Sequence, residues 1–288
     1  MEAFSWLSLL YGSQFLLKAA MASRHSAAPM QLLPGREKSV TIVQAILSGD
    51  RTLATTLEAN LATVGAAAFV WLVDNDDKEA QAIAGQLMAV HPAVDLQVVV
   101  CPPPPDGINP KVFKLELALP LVQREVVVVV DDDTRISRSG LAALIDGLDG
   151  GATIATGLPC YVPSSGWPSQ MLAEFVNDSA INVYLPVAWM GEPFALNGMC
   201  FAMRTHEVVR LDIPKMIGPC IVDDLALAEL VLRSGGRIRQ TAQPHFITTH
   251  VDSWRHLGLL LHRWFVFARL LIDAQPTRRR AGVIIAYG

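Results

Sequence analysis

Cysteine is scarce in this chain and never clustered. Only Cys101, Cys160, Cys200 and Cys220 occur in 288 residues, none in a C-x-x-C pair. No Cys/His group has zinc-ligand spacing, so the thiols read as free and mostly buried in a reducing compartment. Charge is sparse as well: 17% of residues are charged, the net charge is −4 and the pI is near 6.0. No global basic field is available to hold nucleic acid. Uninterrupted apolar runs of the ~20 residues needed to span a bilayer are missing. The stretch 4–21 is rich in Leu, Phe and Trp, but Ser13, Gln14 and Lys18 break it. Its positive charges, Lys18 and Arg24, follow the run, whereas a signal peptide carries them before it. The stretch reads as a short membrane-dipping or marginal spanning helix, with a plain packed helix as the alternative. Internal repeats and low-complexity segments are also absent.

What remains is apolar and regularly alternating. Apolar residues make up 51% and mean hydropathy is +0.35, pointing to a large buried sheet, to membrane contact, or to both. Residues 22–38 read as a linker. Strand-like runs at 39–47, 67–73, 96–100 and 125–130 then alternate with helical patterns at 51–63, 78–90 and 114–123. The run EVVVVV at 125–130 has the continuous apolar character of a strand buried on both faces. This alternation predicts a parallel, layered α/β sheet. After residue 150 the rhythm loosens: 157–170 reads as loop, 169–183 as helix, 195–203 as strand and 224–234 as helix.

Asp131-Asp132-Asp133 follows the valine run directly. Ligands of open α/β sheets bind beyond the carboxyl ends of the strands. On an extended chain Asp131 and Asp133 start on the same face. Two such carboxylates repel unless a cation sits between them, and oxygen-only ligands favour Mg²⁺ or Mn²⁺ over zinc. The plainer alternative is a solvated acidic turn. The phosphatase pattern D-x-D-x-T is not met, because Thr134 comes one residue too early. Asp74, Asp76 and Asp77 end a second strand of the same sheet, either facing the same crevice or as ordinary loop acidity, with Asp76 or Asp77 capping the next helix. Asp223-Asp224 opens another helix, either as dipole-complementing caps or with Asp224 as general base. His245 and His250 are candidate additional metal ligands, more simply read as loop or core histidines.

In this order, three acidic clusters followed by Arg263-Trp264 resemble the processive-type family 2 glycosyltransferases, and more closely the ceramide glucosyltransferase group and its bacterial lipid-glucosylating relatives. Asp74 looks like that family's first aspartate, Asp131-x-Asp133 its second motif, Asp224 its third, and LLHRW its (Q/R)-x-x-R-W. Gly107-Ile-Asn-Pro-Lys111 resembles G-x-N-P-K, Thr156-Gly-Leu-Pro159 resembles H-G-L-P, and Asn197-Gly-Met-Cys200 resembles T-G-M-S. Together the motifs run from about residue 39 to 270. Two positions depart: Leu260 stands for Gln or Arg, and Thr156 for His.

The resemblance implies a GT-A fold: a Rossmann-like, nucleotide-sugar-binding, mostly parallel sheet flanked by helices. It implies a single inverting displacement from a nucleotide-sugar, with a UDP-hexose as donor. Asp131 and Asp133 would hold Mg²⁺ or Mn²⁺, and Asp224 would take the acceptor proton. Asp74, Lys111, Asp132, Arg263 and Trp264 would contact the substrates.

From residue 255 onward the chain predicts an amphipathic helix. Arg255, His262 and Arg269 form one stripe, and Leu257, Leu261, Phe265 and Ile272 lie on other sides. Such a helix suits the surface of an anionic bilayer, and Arg278-Arg279-Arg280 behind it has cytoplasmic-side character. The expected layout is therefore a membrane-associated segment (1–38), a transferase domain (39–254) and an interface helix with a basic tail (255–288), with the active site on the cytoplasmic side and a lipid as acceptor. Two readings compete: transfer to a polysaccharide or polyprenyl phosphate, and a catalytically degenerate membrane-associated relative.

Overall fold

The apolar alternation builds a sheet whose first four strands all end on one side. The computed structural model describes residues 2–25, 28–190, 193–274 and 280. Helix α1 (Glu2–His25) is followed by β1 (Val40–Ile46), α2 (Leu53–Val64), β2 (Ala68–Asp74), α3 (Lys78–Val90), β3 (Leu96–Cys101), α4 (Pro110–Ala118) and β4 (Val126–Val130). Then come β5 (Thr134–Arg135), α5 (Arg138–Asp149), β6 (Ile154–Tyr161), α6 (Trp167–Ser179), a π-turn (Ala180–Tyr184) and α7 (Leu185–Met190). The last part is β7 (Cys200–Arg204), α8 (Thr205–Arg210), α9 (Ile213–Ile217), α10 (Asp223–Arg233), β8 (Ile238–Ile247) and α11 (Trp254–Ala274).

The strands form one eight-stranded sheet in the order β3-β2-β1-β4-β7-β6-β8-β5. The β3-β2-β1-β4 part is parallel, as expected. The rest is mixed: β7 runs antiparallel to both β4 and β6, and β5 antiparallel to β8, while β6 and β8 are parallel. The valine run explains itself at β4. Val126, Val128 and Val130 enter one apolar layer with Ile42, Trp71 and Leu144, whereas Val127 and Val129 enter the other with Val43, Leu72 and Leu227. Full burial of such a side chain contributes ~1.5–3 kcal/mol relative to exposure, so both faces of this strand stabilise the sheet.

Several boundaries differ from expectation for identifiable reasons. Helix α4 begins at Pro110 rather than 114, because Asn109 caps it by accepting from the Lys111 and Val112 amides and Pro110 presets the first turn. The segment 157–170 is not all loop, since β6 runs through Gly157 and Pro159 to Tyr161. A register shift between Thr156 and Leu158 accommodates the glycine and proline there. Strand β7 starts only at Cys200. Helix α5 and strand β8 carry no signal strong enough to be read from the sequence. Cys101 and Cys200 are buried and Cys160 and Cys220 half-buried, all four as free thiols.

Among the described residues, no helix is long and apolar enough to cross a membrane. Helix α1 packs on α7 and the π-turn, and α11 packs on α6. Helix α11 is amphipathic in two senses. Leu257, Leu260, Leu261 and Trp264 pack with Tyr161, Leu172 and Val251, while Trp254, Leu259, Phe265, Val266 and Leu270 stay exposed. Of the basic tail, only Arg280 belongs to the described residues.

Candidate active site

Strands β1 and β4 are neighbours, but the chain leaves β1 toward β2 on one side, and β4 is flanked on the other by β7. This is a topological switch point, where a crevice opens beyond the strand ends. The triple-aspartate segment hooks across it: Asp132 Oδ2 accepts from the Leu47 amide, just past β1, at 2.7 Å. The segment is not extended. The Thr134 amide donates to the Asp131 carbonyl at 3.1 Å, closing a turn, so a turn rather than strand alternation brings Asp131 and Asp133 together. Asp133 accepts from the Thr134 hydroxyl at 3.0 Å and the Thr249 hydroxyl at 3.2 Å. Burial, helped by the Asp131 charge, pushes Asp133 up to about 6. Burial likewise pushes Asp132 up to about 7, opposed by the Leu47 amide and helped by Asp133 and Asp131.

The third acidic cluster reaches the same crevice through a loop. The Asp131 amide donates to the Met199 carbonyl at 2.9 Å, which continues the β4–β7 ladder into the segment Asn197–Cys200. Gly198 of that segment lies flat against Asp224: a Cβ there would come within 2.9 Å of the Asp224 Cβ. Asp224 accepts from the Leu225 amide at 2.7 Å. Burial, then the neighbouring Asp223 charge, pushes its carboxyl up to about 6. Lys111 joins the two sides. Its ammonium lies 2.6 Å from Asp131 Oδ1 and 3.8 Å from Asp223 Oδ2, and donates to the Gly198 carbonyl at 3.0 Å. Burial alone would lower its pKa, but Asp131 and Asp223 hold it above the usual lysine range.

Asp74 ends β2 on the same edge. It pairs at 2.9 Å with Lys114, a nearly buried lysine that also donates to the Ile46 carbonyl at 3.2 Å. A continuous line of contacts thus runs from Asp74 through Lys114 and the Ile46–Leu47 backbone to Asp132. Asp77 is the helix cap, accepting from the Ala80 amide at 2.9 Å and the Ser48 amide at 2.7 Å. Arg263 and Trp264 sit on α11. Trp264 is fixed edge-on to Tyr161 at 6.1 Å and stacked on Phe175 at 6.4 Å. Arg263 is exposed, and its charge, like that of Asp133, acts on the Tyr161 phenol that points into the site.

Among the described residues, no three or more His, Cys, Asp or Glu side chains are grouped to hold a metal ion. Asp131 and Asp133 are the carboxylates that could serve as donors, close enough that the Asp131 charge raises the Asp133 pKa. Two carboxylates completed by substrate phosphate oxygens and water fit Mg²⁺ or Mn²⁺. The histidines are placed otherwise. His245 is buried within β8 with burial pushing it down to about 3, and His250 pairs with Ser164 and Asp252.

Sequence reasoning missed Lys114, Thr249 and Tyr161, because their roles arise from contacts distant along the chain. It also left Thr156 unexplained. Its buried hydroxyl lies 3.0 Å from the Asn197 carbonyl and 3.1 Å from the Cys200 carbonyl, which share its one proton, tying β6 to the segment behind Asp224. Leu260, the other departure, packs beside Trp264 in the α11 core. Gly198→Ala is a direct test of this packing. The added methyl must displace Asp224, and a shift of about 1 Å in a catalytic group costs ~10²-fold. The expected result is a ~10–10²-fold lower kcat together with a lowered melting temperature, since overpacking of this kind costs ~1–3 kcal/mol, read by steady-state kinetics beside a thermal melt.

Sheet order and crevice together define a class. The chain superposes on a mannosyltransferase from Pyrobaculum calidifontis, solved in complex with GDP-Man and Mn²⁺, at a TM-score of 0.62. The match has 14% identity and covers 97% of this chain and 78% of the other. The fold is that of a GT-A glycosyltransferase. The chain belongs to glycosyl transferase family 21, whose profile matches residues 3–284. It is accordingly a nucleotide-sugar glycosyltransferase, and the family 2-type resemblance of its motifs resolves to family 21. No curated protein sequence matches the chain.

Proposed function

We propose that this protein is a metal-dependent, inverting hexosyltransferase that moves glucose or a related hexose from a UDP-sugar to a hydroxyl of a membrane lipid such as ceramide. The observation that carries the reading is the position of Lys111, in contact with Asp131 and close to Asp223. It draws a donor-side carboxylate and a carboxylate at the start of α10 to one ammonium. Asp224 removes the acceptor proton as the acceptor oxygen bonds to the anomeric carbon and the bond to the diphosphate breaks. Asp131 and Asp133 would hold Mg²⁺ or Mn²⁺, which neutralises charge on the departing nucleoside diphosphate. Asp74, Lys111 and Asp132 line the donor side, and Arg263 and Trp264 close over the site.

A lipid acceptor fits the exposed surface. Phe15, Leu16 and Leu17 of α1, Trp167 and Met171 of α6, and Phe265 and Leu270 of α11 are exposed, and α1 meets the π-turn, the π-turn α6, and α6 α11. Exposed apolar side chains on neighbouring helices support an interaction surface, and Arg255 and Arg269 on α11 add charge for anionic headgroups. This favours a membrane-associated protein with its active site at the cytoplasmic face. The test is incubation of membranes carrying the protein with labelled UDP-glucose, UDP-galactose and UDP-N-acetylglucosamine, followed by lipid extraction. Metal-dependent label in the lipid fraction is expected. Label found only in polymer or polyprenyl phosphate would overturn the acceptor assignment.

A further inference from the structure

The mechanism above gives Lys111 a place beside the donor, yet its nearest partner is Asp131 itself. The ammonium lies 2.6 Å from Asp131 Oδ1, the very group assigned to the metal. An ammonium and a divalent cation cannot share one carboxylate oxygen without strong mutual repulsion. The lysine has other seats within a side-chain rotation. The Gly198 carbonyl already accepts from it at 3.0 Å, and Asp223 Oδ2 lies 3.8 Å away. Its backbone stays fixed through such a swing, because the Lys111 amide is held by the Asn109 cap at 3.0 Å.

We infer that Lys111 is a resident counter-cation that guards the metal carboxylate: it neutralises Asp131 while the donor is absent and moves toward Asp223 when a divalent ion enters with the nucleotide diphosphate. The inference rests on the assignment of Asp131 to the metal and extends it to the order of binding. Bare metal binds poorly because it must evict an ammonium. Metal with a nucleoside diphosphate binds well because the diphosphate supplies both extra ligands and a new anionic partner for the lysine. Lys111 is thereby a positioning residue that couples donor loading to the acidic pair at the start of α10.

The experiment measures Mn²⁺ binding by paramagnetic resonance and calorimetry on the full chain, with and without UDP. In the native protein Mn²⁺ alone should bind weakly and UDP should tighten it at least ~10-fold. In Lys111→Met, Mn²⁺ alone should bind ~10-fold tighter than in the native protein, and the UDP effect should shrink by about the same factor, to what the diphosphate's own ligands supply. Lys111→Arg should restore weak binding of bare Mn²⁺. Asp223→Asn removes the alternative seat and should weaken bare Mn²⁺ binding ~3-fold further. A lysine that merely props Asp131 in place predicts the opposite for Lys111→Met, so unchanged or weaker Mn²⁺ binding in a variant with a native circular-dichroism spectrum overturns the inference. The two readings separate cleanly. Native protein that never turns over a UDP-sugar, but shows this Mn²⁺ pattern, sinks the proposed function alone. Turnover with no change in Mn²⁺ affinity sinks the lysine guard alone.

Discussion

Asp224→Asn is expected to lower kcat by ~10³–10⁴-fold, within the range attributed to general-base catalysis, while leaving the donor KM within a few-fold. Asparagine keeps the shape of the residue and its acceptance of the Leu225 amide, so the loop around Gly198 stays in place. What is lost is the negative charge and, with it, the ability to take a proton. Steady-state kinetics with a labelled donor separate the two parameters. A variant with native turnover would remove Asp224 from the reaction.

The same carboxyl fixes a pH dependence. Its pKa is raised in the fold from 3.8 to about 6, chiefly by burial. The base must be ionised, so activity should rise as pH climbs through about 6 and flatten above it. Stability moves the other way. The folded state holds this proton more tightly than the unfolded chain, so stability falls as pH rises from about 4 to above 6. At pH 8 the native protein carries a buried charge that Asp224→Asn lacks, and the variant should melt at a higher temperature. At pH 4 the difference should shrink. A scan of melting temperature against pH for both proteins checks the sign.

How much of this was legible in the chain follows from where the determining contacts lie. The parallel half of the sheet was readable because its strands are buried on both faces and need nothing but β-branched apolar residues, as the valines of β4 show. Strand β8 was not, because its buried side chains include Gln240, Thr241, Gln243 and His245. A strand made buriable by its neighbours has no apolar signature. The aspartates were legible as residues and in their chain order, but their company was not. Lys111 read as a substrate contact in the resemblance, and the fold gives it two carboxylates and a carbonyl. Lys114 read as one more helix residue, and the fold gives it Asp74 across 40 positions of chain. Thr156 read as a lost histidine, and its hydroxyl instead fastens the segment that backs Asp224. Motif order survives in sequence, whereas second partners are set by packing.

Asp133→Asn is expected to remove the metal dependence of donor binding and to cut turnover by ~10³-fold or more, because a bound divalent ion is worth several kcal/mol of charge stabilisation. The substitution is mild for the fold. The asparagine oxygen can still accept from one of the Thr134 and Thr249 hydroxyls, and its amide nitrogen can donate to the other once that hydroxyl turns its own proton away. It also relieves a buried charge that Asp131 opposes, so stability at neutral pH should not fall. Asp132→Asn serves as the contrast. Asp132 is committed to the Leu47 amide across the switch point, and an amide oxygen preserves that bond, so metal dependence should persist in this variant. Titration of UDP binding and turnover against Mn²⁺ distinguishes the two, with chelated native protein as the reference. If native turnover persists in excess chelator, Asp131 and Asp133 are holding the turn rather than an ion, and the charge at the departing diphosphate must be met by Lys111 and the other cations of the site.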